Sequence, residues 1–269
     1  MTLRLRTAVS VLEPSAPAPA SRPAASDGGD DAVVAVGETP GHEPDGQAAT
    51  AGHTRLVDLL VDQVPETAEG PDLLQLTYAR PETSGFKTVA SYLNMRTGGD
   101  AHSFALCGQG FGAPFSAMRV ADAYERTGRI SKSLLAILDC APPDAEEPVD
   151  GTPADSGVLL TFDTSPGPGA VSTIASVGSS ELRAYLAELT PVDGRLLVVL
   201  GPGCDPGVVP AQGADLHHAS SDGYGTGVWA ALAQHWTRWE SAYAVVVLCD
   251  TESRSSDTSH LLVLRAAAE

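Results

Sequence analysis

Four cysteines, seven histidines and one glycine-punctuated turn are the parts of this chain that could do chemistry. The turn is CGQGFG, Cys107 to Gly112, set between the apolar run SFAL and a helical pattern with Pro114 near its start. Gly108, Gly110 and Gly112 free the backbone for a sharp change of direction. Pro114 suits the first turn of a helix, where no N–H is needed. A nucleophile on such a strand–turn–helix unit meets a helix N-terminus, whose dipole favours an anion. Cys107 is the thiol nearest the turn; its competing role is that of a small buried strand residue. Cys204, in the loop GPGCDPG, is the second candidate thiol, whereas Cys140 and Cys249 end apolar runs and read as core.

The four cysteines are far apart and form no CxxC pair, which argues against a zinc knuckle or a disulfide scaffold and predicts reduced thiols. His217 and His218 are adjacent, so in a strand they face opposite sides, a poor arrangement for one metal ion. His235 and His260 read as surface or interface residues. GQGFG lacks the lysine of a phosphate-binding loop and the spacing of a dinucleotide fingerprint. Acidic residues are scattered without an evident acid–base pair. The pattern calls for no metal and no cofactor.

The elements around these residues alternate. Leu3–Leu12 reads as a strand, and residues 13–53, rich in Ala, Pro, Gly and Ser, as a long surface loop. Thr54 is positioned to cap a helix with Leu56, Leu59, Leu60 and Val64 on one face. Asp72–Ala79 is a buried strand, Phe86–Met95 a helix and Ser133–Cys140 a strand; Ala141–Asp155 is an acidic loop. Phe115, Met118, Ala121 and Tyr124 mark the helix after the glycine turn. Gly157–Asp163 and Ala170–Val177, joined by SPGPG, read as a hairpin. Ser179 or Ser180 is placed to cap a helix carrying Leu182, Tyr185, Leu186 and Leu189. Arg195–Leu200 is a strand, Gly201–Gly213 a loop and Asp215–Ala219 a short strand. A second glycine turn, Ser220–Gly227, precedes a helix at Val228–Trp239 whose tryptophans, Trp229, Trp236 and Trp239, read as core. Tyr243–Cys249 and His260–Arg265 complete the chain.

This order repeats itself. Each half runs capped helix, apolar strand, second strand, glycine turn, helix, apolar strand. Helices alternating with apolar runs predict an α/β fold of two pseudo-symmetric halves, residues 1–178 and a shortened 179–269, around buried sheets. The 269 residues carry 34 acidic and 16 basic side chains, a net charge of −18, which excludes a phosphate-binding, nucleic-acid partner. The N-terminal TAVSVL run is shorter than a signal-peptide core and reads as a first strand. No run reaches the roughly 18 apolar residues of a membrane span, so a cytoplasmic protein is expected.

The duplicated strand–glycine turn–helix resembles the thiolase fold in a layered α-β-α-β-α arrangement, and in detail the β-ketoacyl-ACP synthase III branch. FSAMRVADAYERTG is similar to the helix after that family's catalytic cysteine; SLLAILDC resembles the next strand; PVDGTPADSGVLLTF resembles its acidic hairpin entry; LRLRTAVSVLEP resembles the first strand. The resemblance covers most of residues 54–178 and, more weakly, 179–269.

It also implies what is missing. Placing Phe104 on the family phenylalanine puts Gly110 at or next to the nucleophilic cysteine, with Cys107 three residues early. The family histidine position falls on Gly201 or its neighbours, and the family asparagine position on Tyr224 or Gly225. A synthase of this type needs a thiolate to accept an acyl group, and His and Asn donors for the enolate and oxyanion. The resemblance therefore implies a non-catalytic subunit of the type found in chain-length factors and in the two-subunit alkylquinolone condensing enzyme. Such a subunit would pair with a catalytically intact homologue, or else with itself, and meet an acyl thioester only through that partner. Phe86, Phe104 and Phe111 are the residues the resemblance places at the partner's pocket or interface. Two alternatives stay open: a condensing enzyme or acyltransferase with a relocated Cys107 or Cys204, and a module that binds an acyl thioester or product.

Overall fold

A computed structural model describes residues 2–13, 46–64, 70–78, 89–140, 155–220, 225–251 and 257–266. The expected loops at Arg80–Gly85 and 141–154, the tip of the second glycine turn, and the positions of Phe86 and Tyr224 lie outside them.

Among the described residues, ten strands form one sheet: β1 (Arg4–Glu13), β2 (Leu73–Tyr78), β3 (His102–Leu106), β4 (Lys132–Asp139), β5 (Asp155–Asp163), β6 (Ala170–Gly178), β7 (Leu196–Leu200), β8 (Ala214–His218), β9 (Val245–Asp250) and β10 (Thr258–Arg265). Their spatial order, β3-β2-β4-β5-β1-β6-β10-β9-β7-β8, reads as five strands followed by a second five in mirrored sequence. In the first set β2 runs parallel to β3 and β4, with β5 antiparallel to β4 and β1. The second set repeats this, with β7 parallel to β8 and β9, and β10 antiparallel to β9 and β6. Between the sets, β1 and β6 share a single register pair, Arg4 with Ala170.

The described residues also form five α-helices: α1 (Gly46–Val61), α2 (Val89–Arg96), α3 (Gly112–Arg126), α4 (Leu182–Glu188) and α5 (Gly227–Ala242). Side-chain alternation along the strands explains the layering. In β4, Leu135 and Ile137 face one core while Leu134, Ala136 and Leu138 face another; Val246 and Leu248 of β9 oppose Val245 and Val247 in the same way. Strands covered on both faces can be continuously apolar, which is why their runs show no polar alternation. The central core holds α3 and α5 between the two half-sheets, with Phe115 and Trp229 in ring contact at 4.9 Å. Leu56, Leu60 and Leu93 of α1 and α2 cover one outer face. Leu182 and Leu186 of α4 cover the other. This is the five-layer α-β-α-β-α arrangement expected for a thiolase-like fold.

Local expectations differ from the structure in three places. Helix α1 begins at Gly46, so Thr54 lies inside it and part of the expected 13–53 loop is helical. The strands at 157 and 170 form, but not as a hairpin: β1 lies between β5 and β6, and β6 pairs along its length with β10. Apolar strands joined by a short turn look identical in sequence whether they pair or cross to different sheet positions. The N-cap of α4 is Glu181, with no side-chain bond, rather than Ser179 or Ser180.

Candidate functional site

The β3–α3 turn is built as its glycines require. Gly108 has φ +74° and Gly110 φ +49°, the left-handed region that favours glycine. Phe111 is the N-cap of α3 and Pro114 lies in its first turn. Buried Gln75 of β2 donates from Nε2 to the Ala117 carbonyl at 2.9 Å, fixing α3 to the sheet. Cys107, one residue past β3, is exposed, which overturns its reading as a buried strand residue. β3 is an edge strand, and no apolar layer covers a residue that has left it.

His260 lies at the start of α3. It is half-buried on β10, opposite Asp250 of β9 and Ser176 of β6 in the register. Its Nδ1 is 2.9 Å from Ser176 Oγ, and Arg119 of α3 donates to that same oxygen through both terminal guanidinium nitrogens, at 3.1 and 3.2 Å. With both Ser176 lone pairs occupied, its hydroxyl proton points to His260 Nδ1, and the imidazole proton is assigned to Nε2. The ring stacks on Phe115 at 5.7 Å. Its Nε2 edge lies so close to Gly112 that a Cβ there would sit 2.8 Å away. The sequence reads His260 as a surface or interface residue; the structure places it half-buried, with its ring against the first turn of α3.

Asp250 is the next member of this row. It ends β9 with 1 % exposure, and burial pushes its carboxyl up to about 7 despite a 2.9 Å hydrogen bond from the Thr251 N–H. Its carboxylate rests against Gly201, in the space a side chain at 201 would take. Three residues on, Cys204 is buried, with its Sγ 3.8 Å from Cys249 Sγ. Their hydrogen bond, together with burial, raises the Cys249 thiol well above its ordinary value. Cys204 is thus a buried residue rather than one exposed on its loop, and Cys140 is half-buried rather than fully core.

The other half carries a counterpart. Asp139 ends β4 opposite Ser156 of β5, as Asp250 ends β9 opposite His260. The Gly225 N–H donates to Asp139 Oδ2 at 3.3 Å, and Ser156 Oγ bonds the hydroxyl of Thr226, the N-cap of α5, at 2.7 Å. Each central helix therefore starts against an Asp-bearing strand end, with Ser156 at one and His260 at the other.

Of the three candidate partner-facing phenylalanines, Phe104 lies half-buried on edge strand β3, and Phe111 is 8 % exposed within the chain's own fold. His217 is half-buried against His235 and Trp239 while His218 is exposed, so the pair does face opposite sides. Among the described residues no three His, Cys, Asp or Glu side chains gather as metal ligands. None of the described helices is long and apolar enough to cross a membrane.

Two half-sheets that clasp a pair of central helices, with polar clusters at both helix starts, define the thiolase-like fold class. The solved structures this chain is similar to belong to that class. They include 3-oxoacyl-(acyl carrier protein) synthase III, FabH, from Pseudomonas aeruginosa PAO1, at 10% identity and TM-score 0.59, covering 100% of this chain and 99% of that one. The acyltransferase ChlB3 matches at 15% identity and TM-score 0.61, covering 100% and 98%. The ishigamide ketosynthase/chain length factor matches at 15% and 0.54, covering 84% and 83%. No family model matches the sequence, and no curated protein matches it.

Proposed function

We propose that this chain is a non-catalytic synthase III-like subunit of the cytoplasm, paired with a catalytically intact homologue in fatty-acid, polyketide or related secondary metabolism. One observation carries the reading. The side-chain space at Gly112, two residues past the Gly110 that the resemblance places at the nucleophile, is filled by the His260 ring, and that at Gly201, on the family histidine position, by the Asp250 carboxylate. A side chain added at Gly112 would meet the His260 ring, and one added at Gly201 the Asp250 carboxylate. On this reading the fold is retained and the covalent chemistry is left to the partner. Strand β3 keeps one edge without a partner strand among the described residues, so a second subunit has a backbone ladder to join, with Phe104 beside it. The acyl thioester, on this reading, is held by the partner. The net charge of −18 supports a reading in which an acidic carrier protein docks on the partner.

Co-expression with a cysteine-bearing homologue, followed by size exclusion and intact mass of the complex, tests the proposal. A one-to-one complex is expected. A stable homodimer with no affinity for such a homologue overturns it.

A second reading rests on Cys107, which is exposed on the turn before α3. If the chain is itself an acyltransferase, incubation with an acyl thioester leaves an acyl mass increment on Cys107. The leading reading expects none.

A further inference from the structure

We infer that Cys204 and Cys249 form an oxidisable dithiol, a modification site that closes to an intramolecular disulfide under a peroxide. The proposal is independent of whether the chain pairs with a homologue. The two sulfurs are 3.8 Å apart, with no side chain needed to bridge them, and both residues are at least nine-tenths buried. Closure to a covalent bond of about 2.05 Å asks for a movement of less than 2 Å.

The backbone shows where that movement arises. Cys249 is fixed in β9, a strand paired on both sides, by β7 and by β10. Cys204 lies beyond the end of β7, in a turn held by its own N–H to the Gly201 carbonyl at 3.0 Å and by the Gly201 N–H to the Cys249 carbonyl at 2.9 Å. Cys204 lies outside the strand ladder and Cys249 inside it, so closure would draw the turn toward the strand. Glycines at 201 and 203 and a one-turn 3-10 helix at Pro206–Val208 follow the same loop, so the adjustment needs no repacking of the sheet. The other two cysteines cannot substitute. Cys107 is exposed just past the far edge strand β3, and Cys140 directly follows β4 in the other half-sheet, beside Gly52.

The chemistry balances with hydrogen peroxide as oxidant. The Cys204 sulfur attacks one peroxide oxygen, the O–O bond breaks, and the departing hydroxide takes the thiol proton as water, leaving a sulfenic acid. The Cys249 sulfur then attacks the Cys204 sulfur; the S–O bond breaks, and the hydroxide leaves with the Cys249 proton as a second water. Cys204 is the first attacker because Cys249 is the more deeply buried and has its thiol held protonated. The disulfide ties the 201–204 turn to the end of β9. Asp250 follows Cys249 directly and Gly201 backs its carboxylate, so the oxidation state reaches the row that faces α3.

The test uses the whole chain carrying Cys107→Ser, which removes the exposed thiol. Treatment with hydrogen peroxide is followed by intact mass, peptide mapping and a thiol count in denaturant. The expected result is a loss of 2 Da, a mapped Cys204–Cys249 linkage and a fall from three thiols to one, all reversed by dithiothreitol. Amide exchange in residues 201–213 slows, and the melting temperature rises by on the order of 5 °C. Three thiols remaining after a dose that fully oxidises free glutathione, or a gain of 32 Da on Cys204 without linkage, overturns the proposal.

Discussion

His260 Nε2 stands where the side chain of residue 112 would begin: a Cβ built on Gly112 lies 2.8 Å from it, and 3.1 Å from the neighbouring ring carbon. The imidazole cannot simply rotate away. It is stacked on Phe115 and bonded through Nδ1 to Ser176, which Arg119 holds in turn. Gly112→Ala is therefore expected to lower stability by about 1–3 kcal/mol, the usual range for overpacking a filled site. In a His260→Ala background the same substitution should cost less than half as much. Urea denaturation of the four proteins in a double-mutant cycle measures the coupling. Equal costs in both backgrounds would show that His260 is not what fills the space.

The raised carboxyl of Asp250 gives a pH dependence with a definite sign. Its folded value is about 7 against an unfolded value near 3.8. Below pH 3.8 both states are protonated. Between 3.8 and 7 the unfolded state releases the proton and the folded state keeps it, so stability falls as pH rises. Above 7 the loss is complete, and three units correspond to about 4 kcal/mol. Asp250→Asn, which can still accept from the Thr251 N–H, should match the wild type near pH 4 and exceed it at pH 8. Urea midpoints from pH 4 to 8.5 decide this; parallel curves for the two proteins would place the burial penalty elsewhere.

The layers of the fold were legible in the sequence and most of the site was not, for physical reasons. Apolar runs such as LLAIL and VVVL announce strands covered on both sides, and the stripe of Phe115, Met118 and Ala121 announces the face of α3 that is buried. Pairing between strands leaves no such trace, which is why β5 and β6 looked like a hairpin. The polar residues of the site were hidden for a related reason. Asp139, Ser156, Asp250 and His260 come from four strands and meet only through register. His260 in isolation reads as any histidine at a strand start. The repeat held the one usable signal: an aspartate closes each of the matching runs, LLAILD and VVVLCD. Gly110 and Gly201, where the resemblance expects nucleophile and histidine, were legible too, but not the His260 ring against Gly112 or the Asp250 carboxylate against Gly201.

At the start of α5 the hydroxyls of Ser156 and Thr226 are buried and 2.7 Å apart. Thr226→Val keeps the shape and deletes one hydroxyl, leaving Ser156 Oγ buried without that partner. A loss of about 1–3 kcal/mol is expected. Removing both, in Ser156→Ala with Thr226→Val, should recover part of it, because no orphaned oxygen is then left. Thermal or urea unfolding of the single and double variants reads the difference. A double variant less stable than the sum of the singles would mean that the pair acts through something other than its own hydrogen bond.

Cys107 offers a direct readout of pairing through β3, because exposure separates it from the buried Cys204 and Cys249. In the native, reduced chain a maleimide should label Cys107 rapidly, whereas Cys204 and Cys249 should react only after denaturant is added. The residue directly follows β3, the strand whose outer edge the proposed partner would join. Adding a cysteine-bearing homologue should therefore slow Cys107 labelling by at least tenfold, with the partner's own thiols blocked beforehand. A charge placed in the middle of the strand, Ala105→Glu, should abolish both the protection and the complex, since Ala105 is exposed in the chain alone and becomes interfacial only when β3 is paired. Protection that survives Ala105→Glu would move the interface away from this edge, and labelling unchanged by any homologue would remove β3 from the partner-binding surface.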